Sequence, residues 1–248
     1  MNIWALLYFS AFIFYIYSGF YVLKLNRKAM VNVLFFVMCL TLSAWAFGYS
    51  FSTGASRIEE ALAWRGLSTL GWTFFYSNLL LFIAAITKSR FSPKNFKWSY
   101  LIYVPSLLFF LRFLTYDTGS YQKSPFGWVY LLYYKGPWSY AFDLFYLLCV
   151  ISSFILLFFW KHKTESLRER KQVQIIISSM LGAFVLGGTT DTFLPLFGVK
   201  VLPMGILFSS IAVSGMWVAI TKYKMMNLTQ EIAAEHVRSE ERRVGKEC

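Results

Sequence analysis

The chain has 248 residues, of which 57% are hydrophobic and only 15% are charged. A soluble domain carries about 25% charged residues, so this composition excludes an ordinary soluble fold. The formal net charge is +12, which in a soluble protein would suggest a nucleic-acid partner, and the positions of the charges therefore have to be considered.

Seven apolar runs follow one another along the chain. Each is continuous rather than amphipathic, and about 20 such residues are enough to cross a bilayer as a helix. We therefore predict an all-α fold, an integral membrane seven-helix bundle formed by residues 1–222. The predicted spans lie near residues 3–23, 29–51, 62–87, 99–115, 139–160, 173–195 and 204–221.

Lysine and arginine are concentrated in alternate connections between these spans. The even-numbered connections hold only Arg57, Lys123, Lys135 and Lys200. The odd-numbered connections and the tail hold Lys24, Arg27, Lys28, Lys88, Arg90, Lys94, Lys97, Lys161, Lys163, Arg168, Arg170, Lys171, Lys222, Lys224, Arg238, Arg242, Arg243 and Lys246. Because cytoplasmic loops carry the excess of basic residues, we predict an N-terminus outside and a C-terminus in the cytoplasm. A positive charge spread over four separate segments indicates contact with the lipid bilayer and excludes nucleic acid.

The connection at residues 116–138 is rich in both turn-forming and aromatic residues. Aromatic rings favour the interface between membrane and water, so one interpretation is a hairpin that lies on the bilayer. The other is a lid over a pocket.

Four ionisable residues lie inside the predicted spans: Arg65, Arg112, Asp143 and Asp191. Each is about one helical turn from the outer end of its span, so we predict that they share the outer leaflet. Charges within a membrane are costly and usually paired or functional. We predict a polar cluster of these four residues with Thr190, which serves either mutual neutralisation or the binding of a ligand.

Other motifs point to structure rather than chemistry. Ser178 and Gly182 have the spacing of small residues that allow helices to approach closely. The sequence shows no nucleophile with a base, no phosphate-binding loop and no metal-ligand cluster, so we predict no catalytic residue, no metal and no cofactor. The last span contains no lysine, which excludes a retinal protein.

The tail "KYKMMNLTQEIAAEHVRSEE" begins a new helix, which Asn227 can cap. Together with the seven-span layout, "GGTTDTFLPLFG", "VLPMG" and the exit "AITKYKMMNLTQEIAAEHV", it resembles the N-terminal seven-transmembrane sensor region of bacterial sensor histidine kinases. The resemblance covers residues 1–237.

This resemblance implies a signal-sensing input module in the bacterial plasma (inner) membrane. Such a module detects an extracellular or membrane-borne stimulus at its outer face and passes it through span 7 to a cytoplasmic output domain, through which the full-length protein forms a homodimer. We expect residues 223–248 to be a signalling-helix stub that stops before any output domain, so this chain itself is not an enzyme. The alternative is a small-solute transporter, or another multi-span protein with an outward-facing polar pocket.

Overall fold

The computed structural model describes residues 2–114, 121–130, 136–194, 197, 199 and 201–222. The predicted cytoplasmic segment 223–248 lies outside the described residues. Seven α-helices lie within them: α1 (Ile3–Leu25), α2 (Met30–Gly54), α3 (Ile58–Ile86), α4 (Tyr103–Leu114), α5 (Pro137–Lys163), α6 (Leu167–Gly188) and α7 (Gly205–Lys222). The protein is thus a multi-span membrane helical bundle, as its composition predicts.

Six of the seven helices are long and apolar enough to cross a membrane, and α4 is the exception. The predicted span at 99–115 begins instead as a 3-10 helix, Lys97–Ile102, and α4 has only 12 residues. Pro105 explains the break, because proline fits the first turn of an α-helix but not its interior. At 1.5 Å per residue α4 is about 18 Å long, and the 3-10 helix adds about 12 Å.

The chain nevertheless reverses direction through α4. A Cβ added at Gly66, near the start of α3, would lie 3.2 Å from Leu114 Cδ1 at the end of α4. Near the beginning of α4, Tyr103 donates a hydrogen bond to Asn78 in the second half of α3. These contacts make α3 and α4 antiparallel, so α4 returns the chain to the end of the bundle at which α3 begins.

The interior of the bundle depends on glycines that let helices approach closely. A Cβ added at Gly48 of α2 would lie 2.6 Å from the Trp64 carbonyl oxygen of α3. At Gly71 of α3 it would lie 2.5 Å from the Thr41 carbonyl oxygen of α2. The outer faces are apolar, with Leu144 60% and Phe159 70% exposed, as contact with lipid requires.

Two short strands follow α4. β1 (Tyr121–Ser124) and β2 (Gly127–Tyr130) pair antiparallel, with Ser124 opposite Gly127. The hairpin lies against the end of the bundle where α1 begins, because Asn2 Nδ2 donates to the Phe126 carbonyl at 2.7 Å. Trp128 Nε1 donates to the Ala55 carbonyl, just after α2, at 3.0 Å.

Candidate functional site

One end of the bundle gathers the starts of α1, α3, α5 and α7, the ends of α2, α4 and α6, and the hairpin. Beneath the hairpin is a cavity of about 370 Å³. Four of the five predicted site residues line it: Arg65 from α3, Asp143 from α5, and Thr190 and Asp191 from the end of α6. The structure therefore brings these four residues to one site.

Arg112 is placed differently from the other four. It is not among the described residues that line the cavity. Its guanidinium carbon lies 6.0 Å from the centre of the Trp138 ring, near the start of α5. An arginine at this distance from an aromatic face makes a cation–π interaction. Arg112 thus contributes to packing between α4 and α5, and its membership of the predicted cluster stays a prediction.

Asp191 lies in a single π-helical turn, Thr189–Phe193, that follows α6. Such turns loosen the regular hydrogen-bond ladder and are frequent at functional sites. Here the Thr189 hydroxyl donates to the Val185 carbonyl at 2.7 Å. The Thr190 hydroxyl lies 2.9 Å from Asp191 Oδ1, 3.1 Å from the Gly187 carbonyl and 3.3 Å from the Leu186 carbonyl, so its single proton has three possible acceptors. Threonine side chains therefore supply bonds that the helix end lacks.

The Asp191 carboxylate binds the start of α7. Oδ1 accepts a hydrogen bond of 2.9 Å from the backbone amide of Gly205, the first residue of α7, and the Met204 amide also interacts with the carboxylate. The first amides of a helix have no partners within it, and the helix dipole favours a negative charge there. Asp191 thus caps α7 from the end of another helix. This contact explains why an acidic residue follows the apolar run of α6.

Two tyrosines of α1 also bind the region where α7 begins. The Tyr8 hydroxyl donates to the Pro203 carbonyl at 2.7 Å, and the Tyr15 hydroxyl donates to the Ile206 carbonyl. Both tyrosine side chains are completely buried. The start of α7 is therefore bound through its carbonyl groups by α1 and through its amides by Asp191.

Close packing continues along α6 and α7. A Cβ added at Gly187 would lie 3.1 Å from the Gly205 Cα, and one added at Gly215 would lie 2.1 Å from Ser179 Oγ. At the far end, Gln172 Nε2 donates to the Ala219 carbonyl at 3.1 Å. A Cβ added at Gly182, by contrast, would meet nothing within 4 Å among the described residues. Within the described part of the chain, Gly182 therefore does not mediate the close helix packing that its spacing predicts.

Aromatic side chains form the cavity wall beside the two aspartates. The Tyr76 and Tyr146 rings pack with their centres 5.1 Å apart, and the rings of Trp72 and Phe142 are 4.7 Å apart. Both tyrosines interact electrostatically with Asp143 and Asp191. The deeper part of the cavity is apolar and is lined by Val150, Phe154, Met180, Ala212 and Met216.

The hairpin supplies the cover of the cavity. Lys123 and Ser124 at the end of β1 and the turn residues Pro125 and Phe126 line the cavity. The Phe126 ring packs edge-on against Trp4 of α1, with ring centres 5.6 Å apart. Within residues 116–138, the described strands and turn are thus placed as a lid, one of the two interpretations that the sequence leaves open.

Several residues of the cavity are not singled out by the sequence: Lys123, Tyr76, Tyr146 and Gly205. Lys123 is one of only four basic residues in the even-numbered connections, which is a usable signal. The tyrosines are two among 16 and carry no such signal. Among the described residues, no three His, Cys, Asp or Glu side chains are grouped so as to hold a metal ion.

The fold and the cavity define a class of protein: a multi-span helical membrane protein with a ligand-sized cavity at one end of the bundle. Within that class, the family whose sequence model matches is the N-terminal 7TM region of histidine kinase, over residues 6–229. The chain belongs to this family, which confirms the resemblance found in the sequence. The match identifies the 7TM region and no catalytic domain. Neither a curated protein nor a solved structure matches the chain significantly.

Proposed function

We propose that this chain is the signal-sensing input module of a bacterial membrane histidine kinase. The stimulus acts at the outer face, in the cavity beneath the hairpin, and α7 carries the resulting change to a cytoplasmic output domain. The basic connections after α1, α3 and α5 support an orientation with the N-terminus outside. The bacterial inner membrane is the proposed location.

This proposal is based on Asp191, which belongs both to the cavity and to the cap of α7. The residue lines the cavity, and its carboxylate caps the first amide of α7. A ligand in the cavity that forms a hydrogen bond or an ion pair with this carboxylate competes with the amides at the start of α7 for the same oxygens. Occupation of the cavity is thereby linked to the position of the helix that leads toward the tail.

The energies involved are of a suitable size. Loss of a side-chain cap costs a helix about 0.5–2 kcal/mol. Coupling between two sites in allosteric proteins is typically about 1–3 kcal/mol. A ligand shifts a conformational equilibrium only by its difference in affinity for the two states, and competition for Asp191 is such a difference.

The test is the substitution Asp191→Asn in a kinase that contains this chain. Asparagine keeps an oxygen acceptor for the Gly205 amide but removes the charge. We expect basal autophosphorylation in membranes, normalised to folded protein, to change by about fivefold or more, the lower end of typical coupling. The matched control is Glu59→Gln, which removes an exposed carboxylate from the first turn of α3, at the same end of the bundle. If Asp191→Asn lowers only the amount of folded protein and leaves the normalised activity unchanged, the proposal is wrong.

A further inference from the structure

The ionisable side chains on the cavity wall include both signs, and they come from different elements. Lys123 is on the hairpin and Arg65 on α3, whereas Asp143 is on α5 and Asp191 follows α6. Their formal charges sum to zero. A wall of this kind is complementary to a ligand that carries one charge of each sign, because each charge of the ligand finds an opposite charge on the protein.

The acidic side of the wall suits an ammonium group. Tyr76 and Tyr146 line the same cavity as Asp143 and Asp191 and interact electrostatically with both carboxylates. Aromatic faces attract cations, and ammonium groups are commonly recognised in this way. Thr190, Met204 and Gly205 all approach the Asp191 carboxylate, and a carboxylate has about four acceptor positions, so one position remains for an ammonium group.

The basic side of the wall suits a carboxylate or a comparable anion. Lys123 is exposed in the hairpin, and its Nζ lies 6.0 Å from the centre of the Trp128 ring. A lysine offers three hydrogen-bond donors on a flexible stem, so it can reach an anion at the mouth of the cavity. Its position on the cover means that a ligand bound by Lys123 also binds the hairpin to the helices.

The volume of the cavity limits the size of the ligand, and its deeper, apolar lining favours a ligand with an apolar group. The cavity volume of about 370 Å³ is near the lower end of the roughly 300–1,000 Å³ found for small-molecule sites. Such a volume favours a small molecule over a two-chain lipid. The aliphatic and aromatic lining below Asp191 favours an apolar group that points away from the charged end.

We infer, building on the proposed function, that the cavity binds a small zwitterion with an apolar body, the chemical class of α-amino acids with apolar side chains. The ammonium group lies between Asp143 and Asp191, the anionic group faces Lys123, and the apolar body extends toward Phe154 and Met216.

The experiment uses four probes that share a phenyl body and differ in charge: L-phenylalanine, phenethylammonium, hydrocinnamate and phenethyl alcohol. Each is titrated by calorimetry into the purified chain in detergent, and L-leucine is added as an aliphatic zwitterion. The variants are Asp191→Asn and Lys123→Gln. Their matched controls are Glu59→Gln and Arg57→Gln, which remove exposed charges at the same end of the bundle but away from the cavity. The thermal midpoint of each variant without probe verifies that it is folded.

We expect the zwitterions to bind more tightly than the three analogues. Asp191→Asn should weaken binding of L-phenylalanine and phenethylammonium about tenfold, and Lys123→Gln should weaken L-phenylalanine and hydrocinnamate by a similar factor, as expected for loss of one charge-assisted bond. The two controls should change nothing. The inference is overturned if a singly charged or neutral analogue binds as tightly as the zwitterions. It is equally overturned if no zwitterion binds saturably, or if both cavity variants bind like their controls.

These outcomes are separate from those that test the proposed function. If Asp191→Asn alters kinase output while no zwitterion binds, the input role stands and the ligand class is wrong. If zwitterions bind as described and kinase output never changes, the ligand class stands and the input role is wrong.

Discussion

Asp191 illustrates how a charge is accommodated near the end of an apolar helix. Its carboxylate accepts a hydrogen bond from the first amide of α7, where the helix dipole is positive, and lies 2.9 Å from the Thr190 hydroxyl. The two neighbouring glycines make this possible, because Gly205 and Gly187 have no side chains to keep the helices apart. A Cβ added at Gly205 would lie 2.3 Å from Asp191 Oδ2.

We therefore predict that Gly205→Ala destabilises the protein. The added methyl group must displace the carboxylate or separate α6 from α7, and overpacking of this kind costs about 1–3 kcal/mol. The measurement is the midpoint of thermal unfolding in detergent. Gly182→Ala is the control, because a Cβ there meets nothing within 4 Å among the described residues and alanine favours a helix by up to about 1 kcal/mol. Equal midpoints for the two variants would contradict the close contact at Gly205.

The hairpin is a short element whose place depends on one glycine. Gly127 has a φ of +112°, a backbone conformation that residues with a side chain rarely adopt. A Cβ added at Gly127 would also lie 2.2 Å from the Thr53 carbonyl oxygen. The close approach allows the neighbouring Trp128 to donate to Ala55. The strands themselves have only four residues each, so contact with the helices stabilises the hairpin more than its own pairing does.

We predict that Gly127→Ala detaches the hairpin while the helices stay folded. Trypsin cleavage after Lys123 should become about tenfold faster, which corresponds to a loss of roughly 1.4 kcal/mol of local stability. The rate is read from the appearance of the two fragments on a gel. Gly54→Ala is the control at the end of α2, since its Cβ would meet Ala5 Cβ at an ordinary 3.6 Å. Unchanged cleavage in Gly127→Ala would show that the hairpin does not depend on this contact.

For the whole molecule, the seven helices run alternately up and down, and α4 with its 3-10 helix completes one of the reversals. The start of α1 and the end of α7 therefore lie at opposite ends of the bundle. Tyr8, near the start of α1, bonds to Pro203 just before α7, whereas the end of α7 is bonded at Ala219 by Gln172, near the start of α6. Basic residues are concentrated at the end opposite the cavity. The positive-inside rule then predicts a cavity that faces the exterior.

We predict that reporter fusions at Lys94 and Gln230 indicate the cytoplasm and that a fusion at Gly119 indicates the exterior. The expectation follows from the basic connections and from the seven passages through the membrane that the sequence predicts. The measurement compares alkaline phosphatase, which is active outside, with a fluorescent protein that folds in the cytoplasm. A cytoplasmic location of Gly119 would reverse the orientation and with it the proposed direction of signalling.

Most of the helices and the end of the bundle to which each ionisable residue belongs could be predicted from the sequence. Length, apolar content and the placement of lysine and arginine are properties of consecutive residues, and a membrane imposes its thickness on them directly. The same reasoning places Arg65, Asp143 and Asp191 at a common depth, and the structure gathers them around one cavity.

Tertiary contacts determine which side chains at a common depth face the cavity. Depth along the bundle does not specify the direction in which a side chain points, because successive residues of a helix are rotated by about 100°. Arg112 shares the predicted depth yet contacts Trp138. Gly182 has the spacing for close packing, yet a Cβ added there would meet nothing within 4 Å in the part of the chain that the structure describes. The partner of Asp191 is a backbone amide, a group that every residue except proline carries, so no sequence pattern can distinguish Gly205 before α6 and α7 are packed.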